Sequence, residues 1–288
     1  MTKKHPFLVG IVLMGIIFLT YMFCAFVFSS RAGLLSEKVG VIFINGEITD
    51  PKLALEQIES VSENEQIKSV VIRIDSPGGS VAGTQEIFSA ILTLKKKKPV
   101  VATLGSIATS GGYYIACAAD KIVANPGTLT GSISAVMFFQ NFQGLMKKIG
   151  VERSVIKSGK FKDIGSPVRK MTKEEAVLLQ GVIDDVSSQF VSAVATSRKL
   201  KETDVKSIAD GRIFTGRQAK LIGLVDELGG LNEAIDISAK LAGMTGKPKV
   251  IRLEKKSNRI VEYFFRDVAE SFNRSIGAVA QPSILYRF

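Results

Sequence analysis

A chain of 288 residues, 46% of them hydrophobic, has room for one large or two small domains around a substantial core. Its formal charge of +11 does not imply a nucleic-acid partner, because the 38 basic residues are scattered and no recognition motif accompanies them. Cys24, Cys117 and the single histidine His5 exclude a disulfide framework and a zinc cluster, and His5, ahead of a long apolar run, excludes a histidine-based serine triad.

Residues 7–28 contain no charge, and at a rise of ~1.5 Å per residue they cover roughly 33 Å, enough for a hydrocarbon core of ~30 Å. They read as a transmembrane anchor. A cleaved signal peptide would need a shorter apolar region and a small-residue cleavage site, whereas Phe26-Val27-Phe28 is bulky. Lys3 and Lys4 before the run put residues 1–6 in the cytoplasm and everything after a linker at 29–37 on the far side.

Val39 to Ile44, Ser69 to Ile74 and Val100 to Leu104 are short β-branched runs, and helix-like stretches at Leu53 to Val61 and Val81 to Leu94 separate them. That alternation predicts an α/β fold with a largely parallel sheet. Lys95 to Lys98, followed by Pro99, complements the end of the second helix rather than forming a nucleic-acid patch. Thr172-Lys173-Glu174-Glu175 is a capping box opening a long helix through about Arg198, so the Gly-, Ser- and Pro-containing stretch Ser158 to Pro167 before it is a loop. Gly229-Gly230 separates two later helices, and Val250 to Leu253 forms a last strand. A stripe of Ile260, Val261, Phe264, Phe265, Val268 and Phe272 makes the tail, residues 254–288, amphipathic.

Two Gly-Gly segments follow successive strands. Asp75-Ser76-Pro77-Gly78-Gly79-Ser80 reads as a turn into a helix whose free N–H groups can face a negative oxygen, although a plain tight turn has the same spacing. Ser110-Gly111-Gly112 repeats the arrangement, and Ser110 reads either as a helix N-cap or as a nucleophile. A nucleophilic serine in this chain needs a base other than histidine. Lysine qualifies only where a dry site makes its neutral form accessible, since the unperturbed pKa is ~10.4. Lys160 and Lys162 both lie in the loop before the capping box, and spacing does not choose between them.

The segments Asp75 to Gly79, Gly105 to Tyr114, Leu129 to Ser132, Ser158 to Ile164, Ala209 to Ala219 and Asp226 to Gly229 together closely resemble the signal peptide peptidase A family, peptidase family S49, in its short single-copy form. The resemblance covers roughly residues 38–240. It implies a ClpP/crotonase-like fold over residues 38–253, Ser110 as nucleophile, Lys162 as general base, Ser132 as the serine orienting that base, and Gly79 and Gly111 as backbone oxyanion donors. It implies no cofactor and no metal. The expected protein is a serine endopeptidase of the bacterial inner membrane that degrades cleaved signal peptides and other apolar peptides. Its expected form is a homo-oligomer held over the bilayer, with serine and lysine from one chain or from neighbouring chains. A crotonase-like acyl-CoA enzyme and a non-enzymatic membrane scaffold of the same fold are the alternatives.

Overall fold

The computed structural model describes residues 13–23, 37–253 and 285–287. The apolar stripe of the tail and the N-terminal residues 1–6 lie outside the described residues, as does all of the linker except Glu37. Of the anchor, residues 13–23 are described as helix α1, and among the described residues no helix is long and apolar enough to cross a membrane.

The chain then runs β1 (Lys38–Asn45), α2 (Lys52–Glu63), β2 (Ile67–Ser76), β3 (Gly78–Ser80), α3 (Val81–Lys95), β4 (Val100–Thr109), α4 (Gly111–Ala116), β5 (Lys121–Ala124) and β6 (Leu129–Gly131). After α5 (Gln143–Lys148) come α6 (Lys173–Arg198), α7 (Glu202–Ile208), β7 (Ile213–Thr215), α8 (Gly216–Leu221), β8 (Glu227–Leu228), α9 (Leu231–Leu241), β9 (Lys249–Leu253) and β10 (Leu285–Arg287). The main sheet has the order β7-β6-β4-β2-β1-β9, with β5 and β8 branching from β4. All of its pairings are parallel except β6 with β7, which agrees with the α/β expectation.

The early strands read as nearly continuous apolar runs because both faces are covered. Val39, Val41, Val71 and Val101 point to one face, where Ala234, Ile235 and Ala239 of α9 pack on them. Ile42, Ile44, Ile72, Ile74 and Leu104 point to the other, against α2, α3, α4 and α6. On that side Tyr114 joins three helices, its ring centroid 4.9 Å from that of Phe88 on α3 and 4.9 Å from that of Phe190 on α6. The capping box at Thr172 is formed as read, with Glu175 N donating to Thr172 Oγ1 at 3.2 Å and Thr172 N donating to the Glu175 carboxylate at 2.9 Å. The lysine run does more than complement α3. Lys98 Nζ donates to the carbonyls of Val61 and Asn64, closing the end of α2 onto the end of α3.

A buried clamp lies beneath α4. Tyr113, fully buried, donates its hydroxyl to the Leu224 carbonyl at 2.9 Å. Nearby, Arg198 pairs with Asp226 at 2.9 Å and donates to the Gly223 carbonyl, while Asp226 also accepts from Ile122 N at 2.7 Å. These bonds tie the end of α6, the α8–β8 loop and β5 together. The Arg198 side chain is only 7% exposed, so removing its partner strands a charge away from water. Asp226→Ala is therefore expected to lower the free energy of unfolding by about 3 kcal/mol, read from denaturant midpoints, and a loss under about 1 kcal/mol would contradict a buried clamp.

Candidate active site

The site is built at the end of β4. Between the pairs Ile74↔Leu104 and Ser76↔Ala108, β4 carries two more residues than β2, so it bulges. The bulge leaves N–H groups outside the sheet, and the Asp75 carboxylate accepts from two of them, Ser106 N at 3.3 Å and Ile107 N at 3.2 Å. From the other side, Thr128 Oγ1 donates to the Gly105 carbonyl and Thr130 Oγ1 to the Ala108 carbonyl, both at 2.7 Å. The strand end is thus held by side chains where the sheet no longer holds it.

Ser110 follows with φ 54° and ψ −119°, a backbone that L-residues rarely adopt. Its N–H donates to the Gly131 carbonyl at 2.8 Å, and its carbonyl accepts from Tyr114 N at 2.8 Å. Its side chain does not cap α4; Oγ is fully buried and has no hydrogen-bond partner. Ser110 thus stands at the N-cap position of α4 without supplying a side-chain cap. Ser132, one residue beyond Gly131, is also buried and also has positive φ, 52°. Among the described residues the non-glycine positions with positive φ are Ser110, Ser132 and Lys199, so two of the three are serines at this site. Such conformations cost of order 1–3 kcal/mol each and persist where the surroundings over-determine them.

Gly78-Gly79 is not the turn the sequence suggests but the short strand β3. Ile48 N donates to the Gly78 carbonyl and Ser80 N to the Ile48 carbonyl, both at 2.8 Å, so the N–H and carbonyl of Gly79 are turned to the opposite edge. On that edge β10 pairs antiparallel with β3, setting Tyr286 opposite Gly79. A side chain at Gly79 would overlap the Ile48 backbone. Thr109 Oγ1 donates to the Pro77 carbonyl at 3.3 Å, linking the β3 segment to the serine junction. A Cβ on Gly111 would stand 3.3 Å from both Gly78 Cα and Gly79 N, so the two glycine segments are in close apposition. Ser110, Ser132, Gly79 and Gly111 are accordingly brought together.

Within one chain Lys162 is joined to them by no hydrogen bond. It is exposed in a turn where its N–H donates to the Gly159 carbonyl, and among the described residues its side chain has no hydrogen bond or ion pair. Its neighbours are fixed. Lys160 pairs with Glu174 on the surface, and Asp163 is held by Lys157 and by Arg169, which also grips Glu175. The Arg169 and Lys157 hydrogen bonds hold the Asp163 carboxyl well below the usual carboxylate range, and Arg169 with the Thr172 N–H lowers Glu175 to about 2.

Burial pushes the Cys117 thiol up to about 12, which leaves it inert. A cavity of about 690 Å³ between α2 and α3, with an acidic lining including Glu56, Glu59 and Glu86, shares no residue with the serine site. Sequence alone does not mark Asp75, Thr109, Thr128 and Thr130 as supports of the site. Their signal, short polar side chains on both sides of a glycine-flanked serine, has meaning only once the bulge is seen.

A parallel α/β sheet ending in a strained, buried serine beside an extended diglycine strand defines a ClpP-like serine peptidase. The Clp protease model matches residues 28–130, and that of peptidase family S49 matches residues 93–245. A putative protease of Synechocystis is 45% identical over 210 residues, covering 72% of this chain and 76% of its own. A putative signal peptide peptidase SppA of Enterococcus faecium is 34% identical over 227 residues, 74% of this chain and 66% of its own. The chloroplastic serine protease SPPA of Arabidopsis thaliana is 35% identical over 223 residues, 77% of this chain and 33% of its own. The chain belongs to peptidase family S49 and is a serine peptidase, which takes precedence over the acyl-CoA and scaffold alternatives.

Gly79→Ala is expected to displace β3 from Ile48, to abolish turnover and to destabilise the fold by about 1–3 kcal/mol; turnover and thermal midpoint close to those of the parent would contradict the close approach. A second expectation concerns acid. Both lowered carboxyls stabilise the fold fully above their ordinary values, and that contribution fades as pH falls through their lowered ones. Hydrogen exchange over residues 158–172, corrected for intrinsic rate, should stay flat down to about pH 5 and rise between about pH 4.5 and 2. A rise already complete at about pH 5 would contradict the clamp.

Proposed function

We propose that the chain is a membrane-anchored endopeptidase that uses Ser110 and Lys162 as a catalytic dyad to degrade apolar peptides, among them cleaved signal peptides. The observation that carries this reading is the Ser110 hydroxyl, buried and unpartnered on a strained backbone at the start of α4, next to Gly79 and Gly111. Ser110 Oγ bonds to the substrate carbonyl carbon while Lys162 Nζ takes its proton, and the oxyanion is received by the N–H groups of Gly79 and Gly111. The C–N bond then breaks and Lys162 returns the proton to the departing amine. Water then attacks the ester carbonyl while Lys162 takes one of its protons, the bond from the carbonyl carbon to Ser110 Oγ breaks, and Lys162 returns the proton to Ser110 Oγ, leaving a carboxylic acid product and free Ser110. The Ser132 hydroxyl orients the Lys162 amine.

The Lys162 of this dyad is supplied by a neighbouring copy of the chain. In support, Lys162 is unpartnered, and the segment leading to it exposes Phe138, Leu145, Ile149, Val155 and Ile156, the last fully. A run of exposed large apolar side chains in one segment suits a contact surface. Burial against a second copy strips water from the lysine amine, which a lysine base requires. The antiparallel pairing of β10 with β3 supports docking of an extended peptide by strand addition along the Gly79 edge. The apolar side chains of residues 13–23 are exposed around the helix, as suits an anchor in lipid, and an anchor concentrates membrane peptides near the site.

The purified full chain in detergent, digesting a synthetic signal peptide, tests both halves. Ser110→Ala and Lys162→Ala should each lower turnover by at least about 10³-fold without unfolding the domain. Oligomers reassembled from equal amounts of the two inactive variants should regain about a quarter of the parent's turnover, because random pairing rebuilds one intact site in four. No recovery would overturn the shared site, and near-parental turnover by either variant alone would overturn the dyad.

A further inference from the structure

Thr84 lies in the first turn of α3, wholly buried, and its Oγ1 has no hydrogen-bond partner. A helical threonine ordinarily returns its hydroxyl to a carbonyl three or four residues back, and Thr84 does not. A buried hydroxyl without a partner has lost its water for nothing, whereas valine fills the same volume without that penalty. Among the described residues the other buried side-chain atoms in this condition are Gln57 Oε1 and Ser110 Oγ. Gln57 is otherwise engaged, its amide donating to the Leu253 carbonyl at the end of β9.

The position of Thr84 gives the idle hydroxyl a use. Its Oγ1 lies 2.8 Å from the point a Gly111 Cβ would occupy, and Gly79 N lies 3.3 Å from that same point. One glycine therefore lies against both the threonine hydroxyl and the Gly79 backbone nitrogen and, through the chain itself, adjoins Ser110. A buried donor with no acceptor in the resting enzyme, beside the glycine edge that β10 now pairs with and the start of α4, matches a pocket prepared for charge that appears only when a substrate takes the place of β10.

We propose that Thr84 is a further catalytic residue, a hydroxyl donor completing the oxyanion pocket formed by the N–H groups of Gly79 and Gly111. The proposal rests on Ser110 as nucleophile. As Ser110 Oγ bonds to the carbonyl carbon, the π electrons of the carbonyl move to its oxygen, and Thr84 Oγ1–H hydrogen-bonds to one of the lone pairs there. The threonine keeps its proton throughout, and no further reactant is needed.

Thr84→Val, Thr84→Ala and Thr84→Ser, each made in the full chain and assayed in detergent on a synthetic signal peptide, test this. Thr84→Val should lower kcat about 10- to 100-fold, toward the range seen when one oxyanion donor is removed, with KM changed less than about twofold. Thr84→Ser, which keeps the hydroxyl, should retain kcat to within about threefold. A peptidyl boronate that bonds to Ser110 should lose affinity for the valine variant by a factor similar to the loss in kcat. Thr84→Ala, with more room and no hydroxyl, should show the same kcat loss and secures the comparison should the valine variant fold poorly. A kcat within about twofold of the parent in the valine and alanine variants, with Ser110→Ala inactive, would overturn the role of Thr84 and leave the Ser110 reading standing. Equal losses in the serine and valine variants would also overturn it, as packing rather than hydrogen bonding. Turnover by Ser110→Ala would remove the nucleophile itself.

Discussion

The backbone of Ser110 is the constraint around which the rest of the structure is arranged. A serine at φ 54° relaxes unless its neighbours forbid it, and here both of its peptide groups are committed, the N–H to Gly131 and the carbonyl to Tyr114 N. Each partner is itself held. Gly131 belongs to β6, whose Thr130 hydroxyl is bound to the Ala108 carbonyl, and Tyr114 is wedged between Phe88 and Phe190. The next layer, the Tyr113 hydroxyl on Leu224 and the Arg198–Asp226 pair nearby, anchors α4 from below. The bulge in β4 and the Asp75 carboxylate that fills it set the strand end at the angle this junction needs.

Such rigidity contrasts with the surroundings of Lys162. The serine side of the site lies in a covered sheet and buried helices, while the chain from Phe138 to Ile156 exposes apolar side chains and holds one short helix. A catalytic site must hold its groups to within a fraction of an ångström, so in the proposed function an unpartnered Lys162 and an uncovered apolar segment in one chain belong to the same reading. In the proposed enzyme the second copy covers the segment and dries the lysine in one contact. The strained half can then be complete in every subunit while the base arrives only on assembly.

Where packing decides structure by periodicity, the sequence was readable. β1, β2 and β4 announce themselves because both faces are buried, and α6 announces itself through Thr172 and Glu175. The diglycine segment misleads, since Gly78 and Gly79 suggest a turn when their lack of side chains serves a close approach to Ile48. β6, β7 and β10 are three residues each, and β10 pairs with β3 from the far end of the chain, so no local pattern marks them. Ser110 could be placed as a candidate but not separated from an N-cap, because the distinction lies in φ and in a missing hydrogen bond. Thr84 looks like any helical threonine, and its character depends on which atoms it fails to meet. Family resemblance alone prefers Lys162 over Lys160, and the structure adds that Lys160 is engaged with Glu174 while Lys162 is not.

The central claim is that a strained, unpartnered serine is the reacting group. It is tested most directly by treating the full chain in detergent with a peptidyl fluorophosphonate and locating the adduct by peptide mass spectrometry. The account predicts one phosphonylated residue, Ser110, with loss of activity in proportion to labelling. Complete inactivation with Ser110 unmodified, or an adduct on Ser132 instead, would contradict it.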